Sequence, residues 1–209
     1  NHKIFNAKTV RTKRKWKERL IELREEMKTK LVENGFLTRS SAELMVSWDM
    51  FNQNISASYF DADWMFGVKD GFDVVIGNPP YVNFANIKSA EYRTILKEKF
   101  YSTKNKCDLY AFFIEFGFDI LNDSGIITYI VPHTWKATDS FSRLREILFK
   151  RHSVKQIVNL DMGVFDAIVQ PLIMLAANRY EENSFINIFN SDFTLNSSII
   201  TEEVLASPA

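Results

Sequence analysis

The chain has 209 residues, 46% of them hydrophobic, which is enough to bury one sizeable core. Its 26 Lys and Arg residues balance 26 Asp and Glu residues, so the net charge does not indicate a dedicated nucleic-acid binder. One cysteine, Cys107, excludes an internal disulfide framework and favours a reducing cytoplasm. We see no signal-peptide pattern, and the most apolar stretch, residues 109–121, is too short to span a bilayer, so we expect no membrane association.

Residues 1–70 are expected to form a helical segment. Apolar residues recur at 4-3-4-4 spacing within residues 13–34, which predicts an amphipathic helix that ends at Asn34-Gly35. The residues of this apolar stripe are Trp16, Leu20, Leu23, Met27 and Leu31.

A second helix and a local charge imbalance are predicted in the same segment. The second helix is expected to run through Met50, with Ser40 or Ser41 as its cap. Between Lys3 and Arg39 the chain has twelve Lys or Arg residues and five Glu residues. This excess is compatible with contacts to phosphates, and equally with an ordinary solvated helix face.

From Phe72 onward the pattern changes to alternating strands and helices, which is typical of an α/β fold. The predicted strands are 72–77, 126–131, 154–160 and 171–177, and the predicted helices are 89–100, 108–122 and 139–150. This alternation predicts a parallel sheet with crossover helices. Only ten residues join the last two strands, so we expect these two to pair antiparallel. Residues 181–184 resemble a linker, and 185–189 would start a further module.

Residues 73–81 carry the most informative motif, a short strand that runs directly into Asn78-Pro79-Pro80-Tyr81. The preceding β-branched run predicts a strand that is buried on both faces. The two prolines fix φ and remove two N–H donors, so a rigid turn must follow the strand. Open α/β sheets bind their ligands at this edge.

The side chains of this turn suit a flat heterocycle that carries an exocyclic amino group. The Asn78 amide oxygen and the Pro79 carbonyl can each accept one N–H of that group, and the Tyr81 ring can stack on the heterocycle. Two acceptors on one nitrogen draw its lone pair out of conjugation, which is catalysis by positioning and electrostatics. The alternative is a Pro-Pro loop in which Asn78 forms a turn and Tyr81 packs.

The segment DVVIGNPPY resembles motif IV of the S-adenosylmethionine-dependent amino-methyltransferases. Longer segments resemble the adenine-N6 DNA methyltransferases of single-chain, type IIG-like restriction-modification systems, over residues 60–180. These segments are FDADWMFGVKDGFDVVIGNPPYV, DLYAFFIEFGFDILNDSGIITYIVPHTW, LREILF and NLDMGVFDAIVQPLIML. The resemblance implies that Asn78, Pro79, Pro80 and Tyr81 are catalytic and that Asn78 and Pro79 also border the cofactor.

The resemblance also implies a fold, a cofactor and partners. The fold would be α/β, the second half of a Rossmann-like class I methyltransferase sheet, preceded by a helical segment. S-adenosyl-L-methionine would be the methyl donor, double-stranded DNA the substrate, and the cytoplasm of a bacterium or archaeon the location. The parent protein would have room for a fused nuclease and a target-recognition domain, while the recognition sequence and the oligomeric state stay open.

Three regions are therefore expected: a helical segment at 1–70, a catalytic half at 71–180, and a linker with the start of a target-recognition module at 181–209. The seven glycines include no G-x-G pair, so the cofactor loop of this fold is missing. We accordingly predict a fragment that binds S-adenosylmethionine poorly or not at all by itself and is inactive alone.

Phe165 is the second aromatic residue that the resemblance implicates. An enzyme that modifies a base flips it out of the duplex, and a clamp between Tyr81 and Phe165 would repay part of the unpairing cost. The alternative is that Phe165 is one more buried Phe among 18.

Weaker candidates lie at the ends of other predicted elements. His133 and Trp135 either line a DNA cleft or serve as a loop residue and an edge-packing ring. Asp108 is expected to cap a helix, and the resemblance would place Leu109 or Tyr110 against the cofactor. No histidine or cysteine has the spacing of metal ligands.

Three functions remain compatible with these residues. The first is methyl transfer to the adenine amino group in DNA. The second is a glutamine-amide or RNA-base methyltransferase that uses the same NPPY motif, because a glutamine side chain is also planar with an NH2 group. The third is a non-catalytic DNA-binding module. Phe165 and the sequence beyond the last sheet strand favour the first.

Overall fold

A computed structural model describes residues 2–49, 51, 54, 61–102, 107–163 and 169–206. The chain divides into two compact units, one that extends to Gly67 and one that begins at Val68. No helix of the described residues is long and apolar enough to cross a membrane.

The first unit is helical, with α1 (His2–Phe5), α2 (Val10–Glu33), α3 (Arg39–Ser47) and α4 (Ala62–Phe66). Helix α2 confirms the prediction from apolar spacing, and it begins three residues earlier than predicted. It can begin there because the Thr9 side chain accepts a hydrogen bond from the Thr12 backbone N–H at 3.2 Å. The helix ends at the predicted Asn34-Gly35, with Gly35 at φ +71°.

The predicted cap of the second helix is wrong. The Thr38 side chain accepts a hydrogen bond from the Ser41 backbone N–H at 3.2 Å, so Thr38 is the cap and the two serines lie in the first turn. Three hydroxyl residues lie within four positions here, and only the backbone geometry selects which of them accepts the capping hydrogen bond. The helix ends at Ser47, and Met50 lies outside the described residues.

The second unit is a mixed α/β sheet with helices, as predicted. Its strands are β1 (Phe72–Gly77), β2 (Leu121–Pro132), β3 (Ser153–Asn159), β4 (Pro171–Ala177), β5 (Phe185–Phe189) and β6 (Leu195–Ile200). Its helices are α5 (Ala90–Lys99), α6 (Leu109–Asp119), α7 (Ser142–Glu146) and α8 (Thr201–Ala206). Helix α7 follows a 3-10 turn, Asp139–Phe141, and continues into a π-helical turn, Ile147–Arg151.

The described strands form one sheet in the order β1-β2-β4-β3-β5-β6. Strand β1 pairs parallel with β2, and β4 pairs antiparallel with both β2 and β3, so both predicted pairings are confirmed. Gly77 pairs with Tyr129, and Pro132 pairs with Pro171. The ends of β1, β2 and β3 and the start of β4 therefore lie at one edge of the sheet, which we call the carboxyl edge.

Helices cover one face of this sheet. On that face the β2 residues Ile127, Tyr129 and Val131 are buried in the core. Helix α6 packs so closely on β2 that a Cβ atom added at Gly117 would lie 2.4 Å from Ile127 Cδ1.

The prediction that β1 is buried on both faces is wrong. Val75 packs against the core, but Val74 is 51% exposed and Ile76 is 78% exposed. The reason is that β1 is the edge of the described sheet, and the helices cover only the face that carries Val75. Among the described residues, nothing buries the other face of β1.

The strands after residue 180 extend the same sheet. Strand β5 pairs parallel with β3, β6 pairs antiparallel with β5, and Ile186 of β5 is buried in the core. The described part of 181–209 thus belongs to the second compact unit. Its proposed part in target recognition, like the division at residue 181, stays a prediction.

Candidate active site

The Asn78-Pro79-Pro80-Tyr81 turn leaves the sheet at the carboxyl edge, directly after the last residue of β1. Pro79 is buried, whereas Asn78 and Pro80 are exposed. The Asn78 side chain forms no hydrogen bond with another described residue. A rigid backbone therefore holds an amide group that is free to meet a ligand.

Tyr81 is held in place by strand β2. Its hydroxyl donates a hydrogen bond to the Ile130 carbonyl oxygen at 3.1 Å, and its ring is half-buried. The Tyr110 ring meets it edge-on, with 6.5 Å between the ring centroids and 79° between the ring planes. Burial raises the pKa of Tyr81, so the phenol stays protonated and remains a donor. A ring fixed in this way can serve as a stacking platform.

The segment after Tyr81 is bound to the start of α6. The Leu109 backbone N–H donates to the Val82 carbonyl at 2.8 Å, and the Phe84 N–H donates to the Cys107 carbonyl at 3.0 Å. These bonds fix both sides of the turn, because β1 holds its beginning and α6 holds its end.

Asp108 has a different role from the predicted one. It stands at the N-cap position of α6 but forms no side-chain capping bond there. Its Oδ1 accepts a hydrogen bond from Asn83 Nδ2 at 3.0 Å instead. Burial raises the pKa of Asp108, and the bond from Asn83 partly opposes that shift.

Tyr110 supports Tyr81 from within the core. It is completely buried, it stacks on Phe141 at 5.2 Å and 19°, and its hydroxyl lies 3.1 Å from Thr134 Oγ1. Burial raises the pKa of Tyr110 above its usual range. A completely buried side chain offers no open surface to a cofactor, so the structure gives Tyr110 a supporting position. The sequence showed no sign of the pairing with Thr134 or Phe141, which are distant along the chain.

The loop after β2 also leaves the carboxyl edge. His133 donates to the Gln170 carbonyl twice, through its backbone N–H and through Nδ1, each at 3.0 Å. Trp135 is only 1% exposed and belongs to the core, so it packs and does not line an open cleft. Its indole N–H has no hydrogen-bond partner among the described residues.

Phe165 lies outside the described residues. The residues that flank its loop are described: the Leu160 N–H donates to the Pro171 carbonyl at 3.2 Å, and Gln170 Nε2 donates to the Leu160 carbonyl at 2.9 Å. The loop therefore starts and ends at the carboxyl edge, where Asn78 also lies. The clamp between Phe165 and Tyr81 stays a prediction.

The described residues provide no other obvious centre of chemistry at this edge. A cavity of about 690 Å³ in the second unit lies along α5 and α6, and the NPPY residues are not among those that line it. No group of three or more His, Cys, Asp or Glu side chains in the described parts of the chain is placed to hold a metal ion.

Comparison with known protein families gives a match across most of the chain. The model of the Eco57I restriction-modification methylase family matches residues 3–165, which include the whole NPPY turn.

Three curated relatives are similar to shorter parts of the chain. The type II methyltransferase M.TthHB8I of Thermus thermophilus is 33% identical over 85 residues, which are 38% of this chain and 20% of that protein. The type II restriction enzyme and methyltransferase RM.Eco57I of Escherichia coli is 31% identical over 90 residues, 42% of this chain and 9% of that protein. The adenine-specific methyltransferase BrxX of Escherichia coli is 24% identical over 119 residues, 57% of this chain and 10% of that protein. The chain thus spans a fifth or less of each relative.

Proposed function

Since the chain belongs to the Eco57I restriction-modification methylase family, we propose that it provides the catalytic half of a site-specific DNA methyltransferase. The reaction is transfer of a methyl group from S-adenosyl-L-methionine to the N6 amino nitrogen of adenine in double-stranded DNA. One observation carries this proposal: Asn78, exposed and without a hydrogen-bond partner among the described residues, stands close in the chain to Tyr81, whose hydroxyl is bonded to β2.

Asn78 and Pro79 act on the amino group. The Asn78 amide oxygen and the Pro79 carbonyl oxygen each accept one N–H, so the nitrogen lone pair is directed away from the adenine ring. No side chain of the turn is a strong base, and catalysis rests on positioning. The rigid Pro79-Pro80 backbone keeps the two acceptors at a fixed separation.

Tyr81 holds the adenine ring. Base–aromatic stacking contributes about 1–3 kcal/mol, which offsets part of the cost of flipping the base out of the duplex. The hydroxyl bond to Ile130 and the edge contact with Tyr110 keep the ring in one orientation. In the proposed site Phe165 supplies the opposite face of the clamp.

The methyl donor also needs residues of this chain. S-adenosylmethionine supplies an electrophilic methyl group when bound, and Asn78 and Pro79 are the residues that would border it at the carboxyl edge. The sequence contains no G-x-G pair, so this chain offers few contacts to S-adenosylmethionine. We therefore propose that the chain alone binds the cofactor weakly and is inactive alone, and micromolar binding in calorimetry would contradict this.

The proposal also covers the other regions of the chain and the rest of the protein. Residues 1–70 lead into the catalytic half at 71–180, and 181–209 begin the part that recognises the target. RM.Eco57I is both a restriction enzyme and a methyltransferase, which supports a nuclease fused elsewhere in the protein. BrxX is adenine-specific, which supports adenine as the base. The protein would act in the cytoplasm of a bacterium or archaeon.

The test is transfer of a radiolabelled methyl group by the full-length protein. Duplex DNA, RNA and a nuclease-treated cell lysate are offered side by side, and Asn78→Ala is compared with the wild type. We expect label in DNA that digests to N6-methyladenine, and a loss of about 10² to 10³-fold in Asn78→Ala, as for removal of one transition-state hydrogen bond. Asn86→Ala is the matched control, because Asn86 is an exposed Asn at the end of the 3-10 turn Phe84–Asn86, between the NPPY residues and α5.

Each other outcome identifies a different function. Label only in protein would indicate a glutamine-amide methyltransferase, and label only in RNA an RNA-base methyltransferase. No label in any substrate would indicate a non-catalytic DNA-binding module. Equal activity of Asn78→Ala and wild type on DNA would contradict the proposed role of the turn.

A further inference from the structure

Helix α2 carries its charges unevenly along its length. Residues 8–19, which we call the basic segment, contain seven Lys or Arg residues and one Glu, whereas residues 20–33 contain three Lys or Arg and four Glu. All seven basic side chains are exposed. The basic side chains are Lys8, Arg11, Lys13, Arg14, Lys15, Lys17 and Arg19.

This arrangement works against the stability of the helix. Positive charges near a helix N-terminus oppose the macrodipole, and α2 has no acidic residue in its first turn. Like charges also face each other one turn apart, at Arg11 and Lys15, Lys13 and Lys17, and Lys15 and Arg19. A local pattern that breaks the rules of helix design without a structural gain is a sign of function.

Most of these charges are not neutralised by the residues of the first unit that the structure describes. Glu18 pairs with Arg14 at 2.9 Å, and Arg19 is held by Glu22 and Glu26. The other five basic residues of the segment form no ion pair with a described residue, and they are Lys8, Arg11, Lys13, Lys15 and Lys17. Two of them lie near aromatic rings, Lys15 over Trp16 and Lys17 over Phe51.

The spacing of these charges fits an extended polyanion better than a single small anion. From Arg11 to Lys17 the helix rises about 9 Å, a length over which one DNA strand presents about three phosphates. With 3.6 residues per turn, Arg11 and Lys15 lie on one side of the helix and Lys13 and Lys17 on the other, so these cations do not form a pocket for one phosphate ion.

We propose that the basic segment of α2 binds the phosphates of duplex DNA outside the target base. This rests on the proposed function, in which DNA is the substrate, and it adds a surface that holds DNA without reading its sequence. The second half of α2, with near-balanced charge, takes no part. The overall zero net charge of the chain conceals this surface, because the acidic residues lie elsewhere.

The experiment measures DNA affinity of the full-length protein against salt concentration. A short fluorescein-labelled duplex of random sequence is titrated by anisotropy between about 50 and about 200 mM salt. The test variant is the triple change Arg11→Gln, Lys13→Gln and Lys15→Gln. The matched control removes three basic residues of the same unit outside the segment: Lys28→Gln, Lys30→Gln and Arg39→Gln. Circular dichroism checks that both variants keep their helices.

We expect the test variant to lose affinity and salt dependence together. Each phosphate contact contributes about 0.9 to the slope of log K against log salt. Arg11 and Lys15 lie on one side of the helix and Lys13 on the other, so one or two contacts with the duplex are lost and the slope falls by about 1 to 2. Affinity at the low-salt end should fall at least about tenfold, and the control should stay within about twofold of wild type.

Three results would overturn the inference: equal losses in the two variants, no loss in either, or a preference of the wild type for anionic vesicles over duplex DNA. Methyl transfer separates this inference from the proposed function. If DNA is methylated but the test variant binds like wild type, only the role of the basic segment fails. If label enters protein or RNA and the wild type binds no DNA, both fail.

Discussion

The loops that follow β1 and β2 leave the same edge of the sheet, yet their side chains are used differently. After β1, Asn78 is exposed and its amide is free of internal bonds with the described residues. After β2, His133 is bonded to Gln170, and Trp135 is buried in the core. In the proposed site the first loop presents the chemistry, and the second loop stabilises the edge of the sheet from which the first loop leaves.

The two loops also differ in how their backbones are held. Two prolines stiffen the first loop from within, so its polar side chain need not take part in holding it. The second loop contains the 3-10 helix His133–Lys136 and no proline within it, and a side chain from outside also holds it, because Arg145 donates to the Trp135 carbonyl at 2.9 Å.

The largest expected effect concerns the second loop. Trp135→Ala should lower the free energy of unfolding by about 3–5 kcal/mol, because it leaves a large cavity in the core. Urea denaturation measures this change. Trp135→Phe should cost much less, since it also removes an indole N–H that has no partner among the described residues. If Trp135→Ala were as stable as wild type, the second loop would not have the stabilising role.

An intermediate effect is expected at Tyr81, which belongs to the first loop and is hydrogen-bonded to β2, the strand that precedes the second loop. Tyr81→Phe removes the bond to the Ile130 carbonyl and should cost about 0.5–1.5 kcal/mol of stability. The stacking ring remains, so methyl transfer should fall less than in Tyr81→Ala. Thermal melts and initial rates measure the two quantities. Tyr92→Phe in α5, a 54% exposed tyrosine, serves as the control and should change neither.

A smaller, pH-dependent effect is expected at Asp108, where the first loop meets α6. Its pKa is raised in the folded protein, so the folded state binds the proton more tightly than the unfolded state. Its contribution to stability therefore declines as pH rises from the ordinary Asp pKa through the raised value. Asp108→Asn should remove this dependence and keep the contact with Asn83.

Denaturation of wild type and Asp108→Asn across acidic pH measures the difference. Asp123→Asn, at an exposed Asp of β2, is the control. A pH profile of Asp108→Asn that is parallel to that of the wild type would contradict burial as the cause of the shift.

The smallest expected effect on stability is at Asn78, and it tests whether the first loop is held without this side chain. Asn78→Ala should leave the melting temperature and the DNA affinity unchanged, because the side chain has no bond to another described residue and phosphate contacts dominate DNA binding. Melts and anisotropy titrations of the same variant used for methyl transfer provide both values. A marked loss of stability or of DNA binding would show that Asn78 serves the fold.

Several features of the fold and the site could be predicted from sequence because short-range forces determine them. Two prolines after a β-branched run can only form a turn at a strand end, whatever surrounds them. Apolar spacing and the Asn34-Gly35 pair define α2 in the same local way. Only eleven residues connect β3 to β4, which is too short for a parallel crossover, so the antiparallel pairing follows from the length of the connection.

Other features depend on which distant segments meet, and only the tertiary structure decided them. The run Val74–Ile76 has the same composition whether or not a layer covers it, and here one of its faces is exposed. Asp108 accepts a hydrogen bond from Asn83, and Tyr110 contacts Thr134 and Phe141. These contacts exist because β1, β2 and α6 bring distant segments together. Strand β5 joins the sheet beside β3 for the same reason. The sequence by itself thus determined the turn that we propose as the active site, and long-range packing decided which side chains support it.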